Sequence, residues 1–108
     1  MNANEYQQKA MRTMNKELSG KAILVNAALG LCGEAGEAAD IIKKHIFHDH
    51  ELDRDGLIKE LGDVAWYIAE AATVLGVSLE EVLSKNIEKL QKRYPEGFDY
   101  QRSIKREE

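Results

Sequence analysis

The sequence predicts an all-α protein, a compact bundle of four helices in a single domain. Two observations carry that expectation. Apolar residues recur at steps of three and four through four separate segments, and the segments are punctuated by residues that start or stop helices, among them Ser19-Gly20, Asp53, Gly76, Ser78 and Pro95. The 108 residues suit one domain. So small a core is thin, and pairing with further copies of the chain would hide more apolar area.

The first helix is expected from about Asn4 to Asn15, with Tyr6, Ala10, Met11 and Met14 as packing residues on one stripe. After the break at Ser19-Gly20, a long helix runs from about Lys21 to His45. Its stripe is Leu24, Ala27, Ala28, Leu31, Ala35, Ala38 and Ile42. Gly30, Gly33 and Gly36 lie within it, and each costs about 1 kcal/mol relative to alanine. Close approach of another helix or of a ligand would explain them. From Phe47 to Leu52 the period is lost. His45, His48 and His50 cluster here, but no histidine follows downstream to complete a metal site, so the stretch reads as a polar loop.

Asp53 is a natural N-cap for a third helix reaching Leu75, with Gly76 as its terminator. Leu57, Ile58, Leu61, Val64, Ala65, Ile68, Ala72 and Leu75 form one stripe. Glu60, Asp63, Tyr67 and Glu70 form another, with Trp66 beside it. Acids interleaved with large aromatics suggest a partly enclosed pocket or an interface. Ser78-Leu79-Glu80-Glu81 has capping-box spacing and opens a fourth helix that Pro95 stops. Val82, Leu83, Ile87, Leu90 and Tyr94 are its apolar side, and Lys85, Asn86, Lys89 and Arg93 a cationic one. The core is expected over about 21–98. The polar tail, 99–108, is expected to drape over a neighbour or stay mobile.

A net charge of -4 and a pI near 5.4 argue against general binding of nucleic acid. Cys32, the one cysteine, cannot form an intramolecular disulfide and reads as a small buried hydrophobe. The polar start, Met1 to Lys16, is unlike a signal or transit peptide, and no apolar run is expected to approach the roughly 18 residues that cross a bilayer. A cytoplasmic location and no membrane partner are the expectations.

Two stretches carry the chemistry: Gly33-Glu34-Ala35-Gly36-Glu37 and Glu60-Leu61-Gly62-Asp63. Each sets two acids three residues apart, on one face of a helix. Short connections make the second and third helices antiparallel neighbours, so the pairs can face each other. Four facing carboxylates repel unless a cation sits among them, and an all-oxygen set suits Mg²⁺, with Mn²⁺ as a substitute. Such a centre could bridge phosphate oxygens. Lys89 and Arg93 could neutralise a leaving pyrophosphate, and Tyr67 or Trp66 could stack on a base. A di-iron carboxylate site is disfavoured, since no histidine lies three residues after any of these acids. A non-catalytic nucleotide- or metal-binding interaction module is the alternative to an enzyme.

The stretches LGLCGEAGEAADIIKK, ELGD and KLQKRYPEGF resemble the MazG-like nucleoside triphosphate pyrophosphohydrolases, of the all-α NTP pyrophosphatase superfamily. The resemblance spans roughly Leu24 to Phe98. It implies hydrolysis of an NTP or dNTP to the monophosphate and pyrophosphate; house-cleaning of the nucleotide pool is the expected role, with control of the dNTP pool and of alarmone-related pools as the alternatives. Glu34, Glu37, Glu60 and Asp63 match the family's ExxE and ExxD acids and would be the catalytic metal ligands. Lys89 and Arg93 match phosphate-contacting positions, Tyr67 a substrate-side aromatic, and Asn86 a weaker substrate contact. Gly33 stands where some dUTPase-like relatives carry a glutamate proposed as the base, which weighs against a dUTPase. Relatives assemble as homodimers or homotetramers, with sites near subunit contacts.

Overall fold

The computed structural model describes residues 1–106. It holds five helices in the order α1 (Ala3–Met11), α2 (Gly20–Phe47), α3 (Arg54–Val74), α4 (Leu79–Arg93) and α5 (Tyr100–Ile104), with no strand among the described residues. The fold is all-α. The main packing is α2 against α3, and α1 lies on α3 and α4.

Local chemistry sets each boundary. Asn2, Ser19, Asp53 and Ser78 cap α1 to α4, each accepting a backbone N–H from three residues on. Gly76 ends α3 with φ at 75°. Its N–H reaches the Thr73 carbonyl and that of Val77 the Ala72 carbonyl, the Schellman arrangement that only a residue comfortable at positive φ can close. The first helix stops at Met11, short of Asn15, because the Thr13 hydroxyl bonds back to the Ala10 carbonyl and competes with the helical ladder. Phe47, expected in the loop, is the last residue of α2. The tail is not featureless. Asp99 caps the short α5, and Tyr94, Phe98 and Tyr100 stack in sequence with centroids 5.4 and 5.0 Å apart. Glu107 and Glu108, the end of that tail, lie outside the described residues.

The helix faces differ in part from the periodicity. Along α2 the buried residues are Ile23, Ala27 and Ala38, whereas Leu24, Ala28, Ala35 and Ile42 face outward. So does Cys32, expected inside. By length and composition α2 also passes as a bilayer-crossing helix, contrary to the expectation that no run comes near. Its central acids Glu34 and Glu37 are charges that a bilayer makes costly, and its inward face runs along α3.

Helix α1 acts as a clamp on the start of α4. The Gln7 side-chain carbonyl accepts the Leu79 N–H at 2.7 Å, and Asn4 accepts that of Glu80 at 3.1 Å. The Gln7 amide in turn donates to the Thr73 hydroxyl and the Val77 carbonyl. At the other end of α1, the Trp66 indole N–H donates to the Ala10 carbonyl and the Thr13 hydroxyl. Gln7→Leu strands these part-buried groups. The expected cost is about 1–3 kcal/mol, read as a lower urea midpoint with an unchanged m-value.

Beyond Val82 the apolar side of α4 finds no cover: Leu83, Ile87 and Leu90 are 50%, 52% and 40% exposed. The radius of gyration, 16.9 Å, accordingly exceeds the ~13 Å of a closed domain of this length.

Candidate metal centre

Antiparallel packing lays one side of α2 along one side of α3, so that progress along α2 is met by a return along α3. Asn26 reaches Glu70, Gly30 accepts the ring of Tyr67, and Glu34 and Glu37 meet Glu60. The three glutamates offer oxygens that all lie within 4.8 Å of one another. Asp63 follows one turn after Glu60 on an exposed stretch, and it is not within that distance of all three.

The electrostatics of the cluster are those of acids without a counter-charge. The Glu37 carboxyl titrates above its ordinary value, first because of its hydrogen-bond contact with Glu60 and then because of that group's charge. Glu60 is raised as well, first by its contact with Glu34 and then by desolvation. Asp63 adds a weaker push to both. Two lysines of α2 are engaged elsewhere: Lys44 and Lys43 pair with Asp40 at 2.9 and 3.5 Å, and hold its carboxyl below the usual range.

One oxygen each of Glu34 and Glu60 is buried with no hydrogen-bond partner. Orphaned buried acceptors are rare and costly in folded proteins. A hard divalent cation fits them, because the donor set is all carboxylate oxygen. Both raised groups predict a pH dependence with a definite sign. Protons compete with the cation in a range where ordinary carboxyls are already ionised, so Mn²⁺ affinity falls as pH drops through the raised values. Calorimetric titrations between neutral and mildly acidic pH measure it. For the metal-free chain, the same sign means that the contribution of these two groups to stability is lost as pH rises through their folded-state values.

The remaining sequence-selected residues are not members of this cluster. Tyr67 is half-buried, wedged against Gly30 and edge-on to Trp66 at 5.0 Å. Trp66 itself is committed to anchoring α1. Asn86 and Lys89 are exposed on α4, a helix that rests on α1 and α3, while Arg93 is half-buried near its end and its carbonyl accepts from Arg102. Of the three helix glycines, Gly30 alone has a close neighbour; a side-chain carbon at Gly33 or Gly36 would meet nothing within 4 Å.

Two residues to which the sequence reading gave no chemical role are set by their tertiary surroundings. Tyr6 of α1 has its phenol raised by burial and, secondarily, by the charge of Asp63. Glu70, placed on the acid and aromatic stripe but given no role, is 1% exposed. Neither has a motif. Distant elements bring each to its place.

Comparison with known proteins places most of the chain within one family. The profile of the MazG nucleotide pyrophosphohydrolase domain matches residues 25–98. Gene 37 protein of Mycobacterium phage L5 is 46% identical over 74 residues, which is 64% of this chain and 64% of the phage protein. Uncharacterized protein YvdC of Bacillus subtilis (strain 168) is 38% identical over 73 residues, 59% of this chain and 69% of that one. The chain thus spans somewhat under two thirds of the length of the phage relative. No solved structure matches.

Proposed function

The chain belongs to the MazG nucleotide pyrophosphohydrolase family, and from that premise we propose that it hydrolyses a nucleoside triphosphate, NTP or dNTP, to the monophosphate and pyrophosphate with Mg²⁺. The observation that carries this reading is the convergence of Glu34, Glu37 and Glu60 with two buried, unpartnered oxygens. These three acids would hold the cation, with Asp63, one turn after Glu60 on α3, as the further ligand. The bound cation supplies charge neutralisation at phosphate oxygens and a water of lowered pKa. Tyr67 lines the nucleoside side. Lys89 and Arg93, with Asn86 beside them, bind the phosphates. The role is upkeep of the cytoplasmic nucleotide pool.

The placement of α4 supports an assembled enzyme. Its cationic side belongs to a helix packed on α1 and α3, and its apolar side is uncovered, as is the outer side of α2 with Gly36. A homodimer or homotetramer would cover these surfaces and bring cations of one copy to the acids of another. If α2 faces a second copy, Gly36→Leu is expected to shift light scattering toward smaller species. On a free helix surface the same change would leave assembly intact and raise stability slightly.

Incubation with a panel of common and damaged NTPs and dNTPs in excess Mg²⁺, quantifying pyrophosphate and monophosphate together, tests the activity. Equal release of both from at least one substrate is expected. Nucleotide binding without release of either would instead favour a non-catalytic interaction module.

A further inference from the structure

The most deeply buried large side chain of the described residues is an acid, Glu70. It sits at the far end of the α2–α3 seam from the glutamate cluster. Its recorded partner is the amide of Asn26, which reaches in from the exposed edge of α2 and donates to both carboxyl oxygens, at 3.1 and 3.4 Å. We propose that Asn26 and Glu70 are a positioning pair that fixes the register of α2 against α3, and thereby assembles the metal-binding glutamates two to three turns away.

The rest of the seam cannot do this alone. Its buried apolar side chains are mostly alanines: Ala27 and Ala38 on α2, Ala69 and Ala72 on α3. Alanine presents much the same surface after a slip of one turn, so it specifies register weakly. A buried polar pair does so strongly, because an acceptor removed from its donor inside the protein is penalised. Sliding α3 by three or four residues would set Glu70 against Ala22, Ile23, Leu29 or Gly30, none of which carries a side-chain donor. A slip of four would set Glu60 against Gly30 and Gly33, or Ala38 and Ile41, and a slip of three would leave it only one of Glu34 and Glu37, beside Leu31 or Asp40, so either breaks up the set of three glutamates. The register that satisfies Glu70 is the one that gathers the glutamates. The notch at Gly30 that receives Tyr67 lies between the two and agrees with it.

The functional arm of this inference rests on the metal reading above; the register arm does not. In a Cys32→Ser background, spin labels at the exposed positions 21 and 59 report the offset between the helices, with unlabelled protein added to suppress distances between copies. Mn²⁺ affinity is measured on the unlabelled variants. Glu70→Gln keeps an acceptor for Asn26, so both readouts should stay as in the wild type. Asn26→Asp sets two carboxyls face to face, and it should broaden the distance distribution toward a component offset by about 5 Å, one helical turn, with Mn²⁺ affinity falling about tenfold or more. Asn26→Asp combined with Glu70→Gln restores one donor opposite one acceptor with their roles exchanged, and it should recover both. A narrow wild-type distribution in Asn26→Asp, or no recovery in the combined variant, would overturn the proposal. Asn26→Leu with Glu70→Leu, which leaves no polar group stranded, serves if Asn26→Asp does not fold; it too should widen the distribution, and an unchanged one counts against the pair. Absence of Mn²⁺ binding by the wild type itself would defeat the metal reading while leaving the distance measurement to decide the register.

Discussion

Glu60→Ala is expected to abolish nucleotide hydrolysis while leaving the helical circular dichroism unchanged. Glu60 is the α3 member of a cluster whose other two acids, Glu34 and Glu37, come from α2. Without it α3 loses its member of the three-glutamate cluster and keeps only the exposed Asp63 to offer, while the unpartnered Glu34 oxygen is left without the Glu60 carboxylate opposite it. Loss of a supporting group outside the ligand set commonly costs about 10–100-fold, so loss of a ligand shared between helices should exceed that. The fold should tolerate the change. Glu60 contributes mutual repulsion to the metal-free cluster, as its raised titration and that of Glu37 show, and alanine is the better helix former. The metal-free variant is therefore expected to be at least as stable as the wild type. Near-normal pyrophosphate release by Glu60→Ala would sink the assignment, and collapse of the dichroism would show that the residue serves the fold instead.

The second large effect is one of packing. Gly30→Ala should destabilise the protein even though alanine is favoured over glycine in a helix by about 1 kcal/mol, because the added carbon would overlap the Tyr67 ring. Relief requires the ring to leave its place or α2 and α3 to separate, and overpacking of this kind typically costs about 1–3 kcal/mol. A double-mutant cycle isolates the cause. In a Tyr67→Ala background the obstacle is gone, so Gly30→Ala should reverse sign and stabilise. Urea midpoints of the four proteins measure the cycle; a Gly30→Ala effect identical in both backgrounds would exclude the ring as the reason for the glycine.

The caps were readable because they are local. Asp53 and Ser78 are each held by a bond to a backbone N–H three residues away, and Gly76 by a backbone angle that disfavours other residues. The face of α2 was not. Leu24, Ala27, Ala28, Leu31, Ala35, Ala38 and Ile42 keep a helical rhythm, but apolar residues surround most of that helix, and a rhythm shared by several faces does not choose one. Contact with α3 chose the line through Ile23, Ala27 and Ala38, which carries Glu34 inward and turns Cys32 outward. Glu70 shows the same limit from the other side. An acid on a helix reads as surface until a donor elsewhere, here Asn26, makes its burial tolerable.

By itself, then, the sequence determined that the chain is helical, where most helices begin and end, and which acids stand three apart, since all of these depend on neighbours within a turn or two. Tertiary structure alone decided which side of each helix is inside, that Trp66 anchors α1, and that Glu70 is buried against Asn26. The physical reason is that burial and electrostatic environment depend on what the opposite helix presents, and an opposite helix is invisible to any window that slides along one chain segment.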